Sequence, residues 1–255
     1  MTEKKLSFEE ARQLQFELLI ELDRFCKQNG LTYFLAYGSL LGAVRHGGFI
    51  PWDDDIDVIM PLQDIDKLEH IYKSERYSVI TCRNNKEFAY PFARLYDNNT
   101  FTKCGKFRAL GVSIDIYPMV NAPSKNQDLY IKKMFKYVPI RRFLIRLRSF
   151  LANRGLWLGN TLDFKLLNFF CQKMLNQLME SDKQTSPNVY ISSGERDIIN
   201  KSLFYPVKKI MFNDISFAAP YDTEGLLTIW YGDYMQLPPE DKRKPYHLGD
   251  WYLKC

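Results

Sequence analysis

The run FIPWDDDIDVIMP, Phe49 to Pro61, sets Asp53, Asp54, Asp55 and Asp57 immediately before an apolar stretch. Adjacent like charges repel, and a carboxylate taken out of water without a partner is costly, so something positive is expected opposite them. In a strand the side chains at i and i+2 share a face, which sends Asp55 and Asp57 the same way, about 6–7 Å apart at their backbones, while Ile56 and Val58 turn inward. Paired carboxylates suit hard divalent cations, which take oxygen ligands. Two such ions about 3.5–4 Å apart stabilise both the attacking and the leaving oxygen of a phosphoryl displacement. Asp115, an acid between Ile114 and Ile116 in VSIDIYP, is the expected third carboxylate. The competing reading makes Asp55 and Asp57 caps of an edge strand, and Asp53 and Asp54 are balanced between the site and a solvated loop. A lone D-x-D is a weak signal.

Upstream, YGSLLGAVRHGG adds a second part. Gly38-Ser39 falls between a buried strand, LTYFLAY, and a short helix, LLGAVRH. That junction aims backbone N–H groups and the positive end of a helix at an anion. A phosphate cradle followed by a carboxylate pair is minimal equipment for metal-assisted chemistry on a nucleotide.

The elements that must position these groups follow from periodicity. Residues 7–29 carry apolar side chains at helical spacing, with Ser7 and Glu10 as a capping box and Gly30 as a stop. Residues 55–60, 77–82, 90–97 and 111–119 read as strands, and 62–73 as a helix. Residues 125–181 read as mostly helical with a break near 155–160. KIMFNDISFAAP (209–220) reads as a strand pair turning at Asn213-Asp214, and 222–232 as a final helix. The proline-rich remainder is expected to wrap the surface. The expected class is α+β, a mixed sheet flanked by helices with a mostly helical C-terminal portion. Three parts are expected: a catalytic core over 1–123, a basic helical segment over 124–205, and 206–255 packing back on the core.

With 46% apolar and 15% aromatic residues, the 255-residue chain has material for a substantial core. Its opening, MTEKKLSFEEARQ, is charged and lacks the apolar stretch of a secretory signal. Five scattered cysteines without a C-x-x-C favour a reducing compartment over disulfides or structural zinc. The expected location is cytoplasmic, with peripheral contact at the inner face of the cell membrane left open. The net charge of +5 is uneven: eight cations and no acid lie between Asp128 and Asp163, so the remainder is net acidic. That segment, residues 129–162, reads either as a basic amphipathic membrane contact or as a helix with its cations in water. It shows no recognised nucleic-acid motif, and no nucleic-acid partner is expected.

YGSLLGAVRHGGFIPWDDDIDVIMP closely resembles the signature of the LicD family of phosphocholine transferases, and YGDYMQLPPEDKRKPYH resembles that family's second signature. The Gly-Ser step followed by D-x-D is more distantly similar to the nucleotidyltransferase superfamily, and fukutin-related polyol-phosphate transferases share the theme. The resemblance implies a nucleotidyltransferase-like sheet. It also implies transfer of phosphocholine or a related phospho-alcohol from a CDP-linked donor such as CDP-choline to a glycan hydroxyl, with CMP leaving. A cell-surface or teichoic-acid precursor, lipid-linked, is the implied acceptor. Carried over, Gly38, Ser39, Arg45 and His46 would hold donor phosphates. Asp55, Asp57 and Asp115 would be the catalytic carboxylates and the ligands of Mg2+ or Mn2+. Arg94 and His247 are further possibilities. Choline would require aromatic faces, and the sequence does not choose among Tyr37, Trp52, Tyr96, Tyr117, Trp230, Tyr231, Tyr234 and Trp251. The alternative activity is nucleotidyl transfer with release of pyrophosphate.

Overall fold

The computed structural model describes residues 3–104, 107–153, 160–191, 198–245 and 250–254. His247 lies outside them. In chain order the elements are β1 (Glu3–Lys5), α1 (Phe8–Asn29), β2 (Phe34–Leu35), α2 (Tyr37–His46), β3 (Asp57–Pro61), α3 (Leu62–Ile71), β4 (Tyr77–Ile80), β5 (Ala93–Asp97), β6 (Thr100–Cys104), β7 (Phe107–Leu110) and β8 (Ser113–Ala122). There follow α4 (Gln127–Met134), α5 (Val138–Asn153), α6 (Asn160–Asp182), β9 (Asn188–Ile191), β10 (Ile198–Asn200), β11 (Lys208–Phe212), β12 (Ile215–Ala219), α7 (Thr223–Tyr231) and β13 (Trp251–Lys254). The class is α+β, with mixed sheet and flanking helices, as the periodicity indicated. No described helix is long and apolar enough to cross a membrane.

Two compact units interleave along the chain. The first comprises Met1–Val79, Arg94–Tyr117 and Lys201–Cys255. Its longest helix, α1, buries Ala11, Leu18, Leu19, Leu22 and Cys26 along one face. The expected capping box is present, with the Ser7 hydroxyl accepting from Glu10 N and Glu10 accepting from Ser7 N, and Gly30 closes the helix at φ 63°. β2 pairs antiparallel with β3 through Phe34↔Ile59 and Leu35↔Val58. β3 lies beside β8, which also pairs with β5. Along β8, Ile114 and Ile116 are fully buried while Ser113, Asp115 and Tyr117 share the opposite, half-exposed face. That alternation is what a strand with one core face dictates. The pair β11–β12 turns at Asn213 and Asp214, both at positive φ (47° and 63°), as a two-residue hairpin turn requires. The residues expected to wrap the surface end instead in a strand, β13, set between β1 and β6.

The second unit comprises Ile80–Ala93 and Pro118–Asn200. The far half of β8 pairs with β9, and β9 with β10. Helix α6 carries Asn168, whose side-chain amide donates to the carbonyls of Cys82, Asn85 and Phe88 and so fastens residues 82–88. Arg141 of α5 donates to the Ala89 carbonyl and lies over the Tyr90 ring, so this cation is packed. Exposed apolar side chains remain on α5: Ile140, Phe143 and Leu147.

Candidate active site

The site lies within the first unit and begins with a tyrosine in an unusual conformation. Ala36 ends the strand segment by donating to the Asp57 carbonyl, and Tyr37 then turns to φ 44° as α2 starts. Positive φ in a bulky residue costs on the order of 1–3 kcal/mol and persists only where surroundings enforce it. The helix therefore begins at Tyr37, three residues earlier than expected, and Gly38 and Ser39 stand in its first turn with no side-chain cap. Gly38 is required by a close approach: a Cβ there would stand 2.5 Å from Oδ2 of Asp53. Ser39 is buried, and its hydroxyl accepts from Asp57 N at 2.8 Å, which fixes the start of β3 against α2.

β3 starts at Asp57, two positions later than expected, so Asp55 sits on the approach to the strand. That approach is held from α1, where buried Gln15 donates to the Asp54 carbonyl at 2.8 Å. Ligand oxygens of Asp53, Asp54 and Asp55 all lie within 4.8 Å of one another. Asp54 is buried and Asp53 half-buried, so these two belong to the cluster rather than to a solvated loop. Burial, then the charges of Asp55 and Asp54, push the Asp53 carboxyl up to about 7. Burial also pushes Asp57 well above the usual carboxylate range, with Asp55, Asp115 and Asp53 adding to the shift. Oδ1 of Asp57 is buried and accepts no hydrogen bond. Two carboxyls raised by burial and by neighbouring acids, one of them with an orphaned buried oxygen, form the environment a divalent cation relieves, and an all-oxygen donor set suits Mg2+ or Mn2+.

A positive partner of the kind anticipated stands opposite Asp115. Arg94 of β5 donates from Nε to Oδ1 of Asp115 at 2.5 Å and from its Nη2 to Oδ2 at 3.0 Å. This bidentate pair sets the orientation of Asp115. Arg94 also acts on Asp57, against the upward shift, without reversing it. Sequence named Arg94 as a further possibility beside a surface or structural role; its pairing with Asp115 joins positions 21 residues apart and carries no local signal.

Arg45 and His46 stand in the last turn of α2. Arg45 donates to the Tyr234 carbonyl at 2.8 Å and, through Nε, to the His46 ring at 3.0 Å. His46 meets Trp52 edge-on, and burial followed by the Arg45 charge lowers its pKa. Arg45 thus joins the YGDYMQ segment to the first motif. Tyr37 meets Tyr117 edge-to-face, with centroids 5.6 Å apart, and Trp230 at 4.6 Å. The Tyr117 and Tyr231 hydroxyls are held protonated by burial, with Asp57 the leading charge on each.

Residues 30–150 match the family model described as LicD/FKTN/FKRP, nucleotidyltransferase domain. The chain is 27% identical over 264 aligned residues to the lipopolysaccharide cholinephosphotransferase LicD of Haemophilus influenzae, covering 98% of this chain and 99% of that protein. It is also 47% identical over 51 residues to the ribitol 5-phosphate transferase FKRP of Mus musculus, a stretch that is 20% of this chain and 10% of that one. A 49-residue stretch is 35% identical to mannosyltransferase regulator 4 of Saccharomyces cerevisiae.

Proposed function

The chain belongs to the LicD family, and on that premise we propose that it transfers a phospho-alcohol, phosphocholine in the first instance, from a CDP-linked donor to a glycan hydroxyl. The observation that carries the reading is the cluster of Asp53, Asp54 and Asp55 beside the first turn of α2, with Asp57 under the charges of Asp55, Asp115 and Asp53, and Asp115 paired with Arg94. End-to-end similarity to a cholinephosphotransferase favours choline, and the 51-residue match to a ribitol phosphate transferase covers only part of the chain.

In this reading Asp55, Asp57 and Asp115 hold Mg2+ or Mn2+, with Asp53 and Asp54 within reach. When bound, the cation neutralises charge on the donor's pyrophosphate. The chain's own groups supply positioning. Gly38 gives the close approach at the start of α2, and Ser39 fixes Asp57. The first-turn N–H groups of α2 face anionic oxygen. The acceptor oxygen attacks the phosphorus that bears the alcohol, the bond from that phosphorus to the bridging oxygen breaks, and CMP departs. The hydroxyl proton passes to a carboxylate of the cluster. Charge neutralisation and positioning dominate such transfers.

The acceptor we favour is lipid-linked, at the inner face of the cell membrane. Supporting this, α5 exposes Ile140, Phe143 and Leu147 beside Arg142 and Arg146, in a segment without acids. A basic amphipathic helix of this kind lies in an anionic interface, where each nearby cation contributes about 1 kcal/mol.

The test is a donor screen with Mg2+, using CDP-choline, CDP-ribitol, CDP-glycerol and nucleoside triphosphates, on the wild type and Asp55→Ala. CMP release with a phosphodiester-linked product supports the reading. Pyrophosphate release from a triphosphate establishes nucleotidyl transfer instead, and an unimpaired Asp55→Ala protein removes the catalytic assignment.

A further inference from the structure

We infer that Arg12 and Gln15, one turn apart on α1, are positioning residues: they clasp the two ends of segment 51–54 and so set the affinity of the acidic cluster for its divalent cation. The inference rests on the metal-assisted transfer proposed above. Neither residue lies in the motif YGSLLGAVRHGGFIPWDDDIDVIMP. Positions i and i+3 share a helix face. From that face Nη1 of Arg12 donates to the Pro51 carbonyl at 3.4 Å, and Nε2 of Gln15 donates to the Asp54 carbonyl at 2.8 Å. The chain turns on itself there, with Asp53 N donating to the Ile50 carbonyl at 3.0 Å. A turn held at both ends fixes where the carboxylates of Asp53, Asp54 and Asp55 converge.

Each side chain does more than pack. Gln15 is buried, and its Oε1 finds no donor among the described residues. An unsatisfied buried acceptor destabilises a fold, so a residue serving packing alone would be apolar; the bond to Asp54 is what the amide adds. The guanidinium of Arg12 lies over two rings, 5.3 Å from the centroid of Phe8 and 4.4 Å from that of Phe49. Phe49 in turn meets Phe212 of β11 edge-on at 5.0 Å, and Phe212 stacks on Phe16 of α1. These contacts hold a long side chain in one place. Burial lowers the pKa of Arg12, and the charges of Asp53 and Glu9 act against that shift. Geometry and charge can therefore be told apart. Gln15 is neutral, so its loss leaves the charge of the cluster as it was. Arg12 is a cation near acids, so if it acted through charge alone, its removal would tighten the binding of a divalent cation. A clasp requires the opposite sign.

The experiment titrates Mn2+ into the full chain, followed by electron paramagnetic resonance, in the wild type, Gln15→Met and Arg12→Met. Each protein is held well below its melting temperature, and metal-free melting is recorded alongside. Methionine keeps an unbranched stem at both positions and removes the donor. Gln15→Met should raise the Kd for Mn2+ about tenfold, and Arg12→Met about threefold. A Gln15→Met protein with the wild-type Kd, even one that melts lower, has lost only a core contact and overturns the clasp. An Arg12→Met protein whose Kd equals or falls below that of the wild type overturns it too. Either result leaves the transfer reading standing. Should Gln15→Met not fold, Arg12→Met, altered at a half-buried position, decides the matter through the sign of its change. A wild type that binds no Mn2+ even with CDP-choline present removes the transfer reading and the clasp with it.

Discussion

The two units handle charge in opposite ways. In the first, acids crowd together: Arg94 is paired with Asp115, while Asp53 and Asp57 are raised by burial and then by neighbouring carboxylates. In the second, cations face water. Lys132, Lys136, Arg142 and Arg146 have no carboxylate ion-pair partner among the described residues, whereas Arg141 is packed on Ala89 and Tyr90. Burial and repulsion among fixed carboxylates destabilise the folded chain, and a bound cation would relieve them. The basic face carries no comparable strain, since solvated charges on a helix cost little. Substitutions should therefore trade stability against function in the first unit and leave stability alone in the second.

The largest expected effect is at Asp57. Asp57→Asn keeps the shape and removes the repulsion, so transfer should fall by about a thousandfold or more while the metal-free protein melts at a higher temperature. Steady-state rates and calorimetric melting read both, and a variant that loses both stability and activity would point to a structural carboxylate. Next is Arg94→Lys, which cannot reproduce the bidentate fork on Asp115. We expect a loss of about a hundredfold in kcat, with KM for donor less affected, measured by CMP release.

Gly38→Ala tests the close approach, since its Cβ would displace the Asp53 carboxylate. We expect Mn2+ affinity to fall by about tenfold with little change in metal-free melting.

A pH series sharpens the same contrast. The folded-state pKa of Asp53, about 7, lies above the 3.8 of the free side chain, so the folded chain binds the extra proton. Stability is then fullest below about pH 4 as far as this group is concerned, and it falls as pH rises towards 7. The metal-free melting temperature should decline across that window, and added Mg2+ should raise it most at the upper end. A flat profile would mean that Asp53 is not held as described. The smallest effect is expected in the second unit: Arg142→Gln with Arg146→Gln should weaken sedimentation with anionic vesicles by several-fold at low salt and leave melting unmoved.

What was legible in the sequence was local. Ser7, Glu10 and Gly30 announce α1 because a cap is settled within four residues. Asn213-Asp214 announces its hairpin because the turn itself demands positive φ. The D-x-D and Gly-Ser motifs pointed to the segment in which Asp53, Asp54 and Asp55 converge. The onset of β3 was misjudged because Asp55 is held outside the strand by a loop fastened from α1 through Gln15, a contact spanning 39 residues. β13 went unseen because its partners β1 and β6 lie far away in sequence. Arg94 on Asp115 and the contacts of Tyr37 with Tyr117 and Trp230 were hidden for the same reason. Asp53 and Asp54 were placed in solvent as readily as in the site, because burial of a loop depends on what folds over it.

The most direct measurement is Mn2+ binding followed by electron paramagnetic resonance, in the wild type and Asp57→Asn, with and without CDP-choline. The account predicts that the wild type binds the ion, that the donor tightens binding, and that the variant loses both behaviours. Wild-type protein that binds no Mn2+ in the presence of donor, or a variant that binds it equally well, would contradict the account.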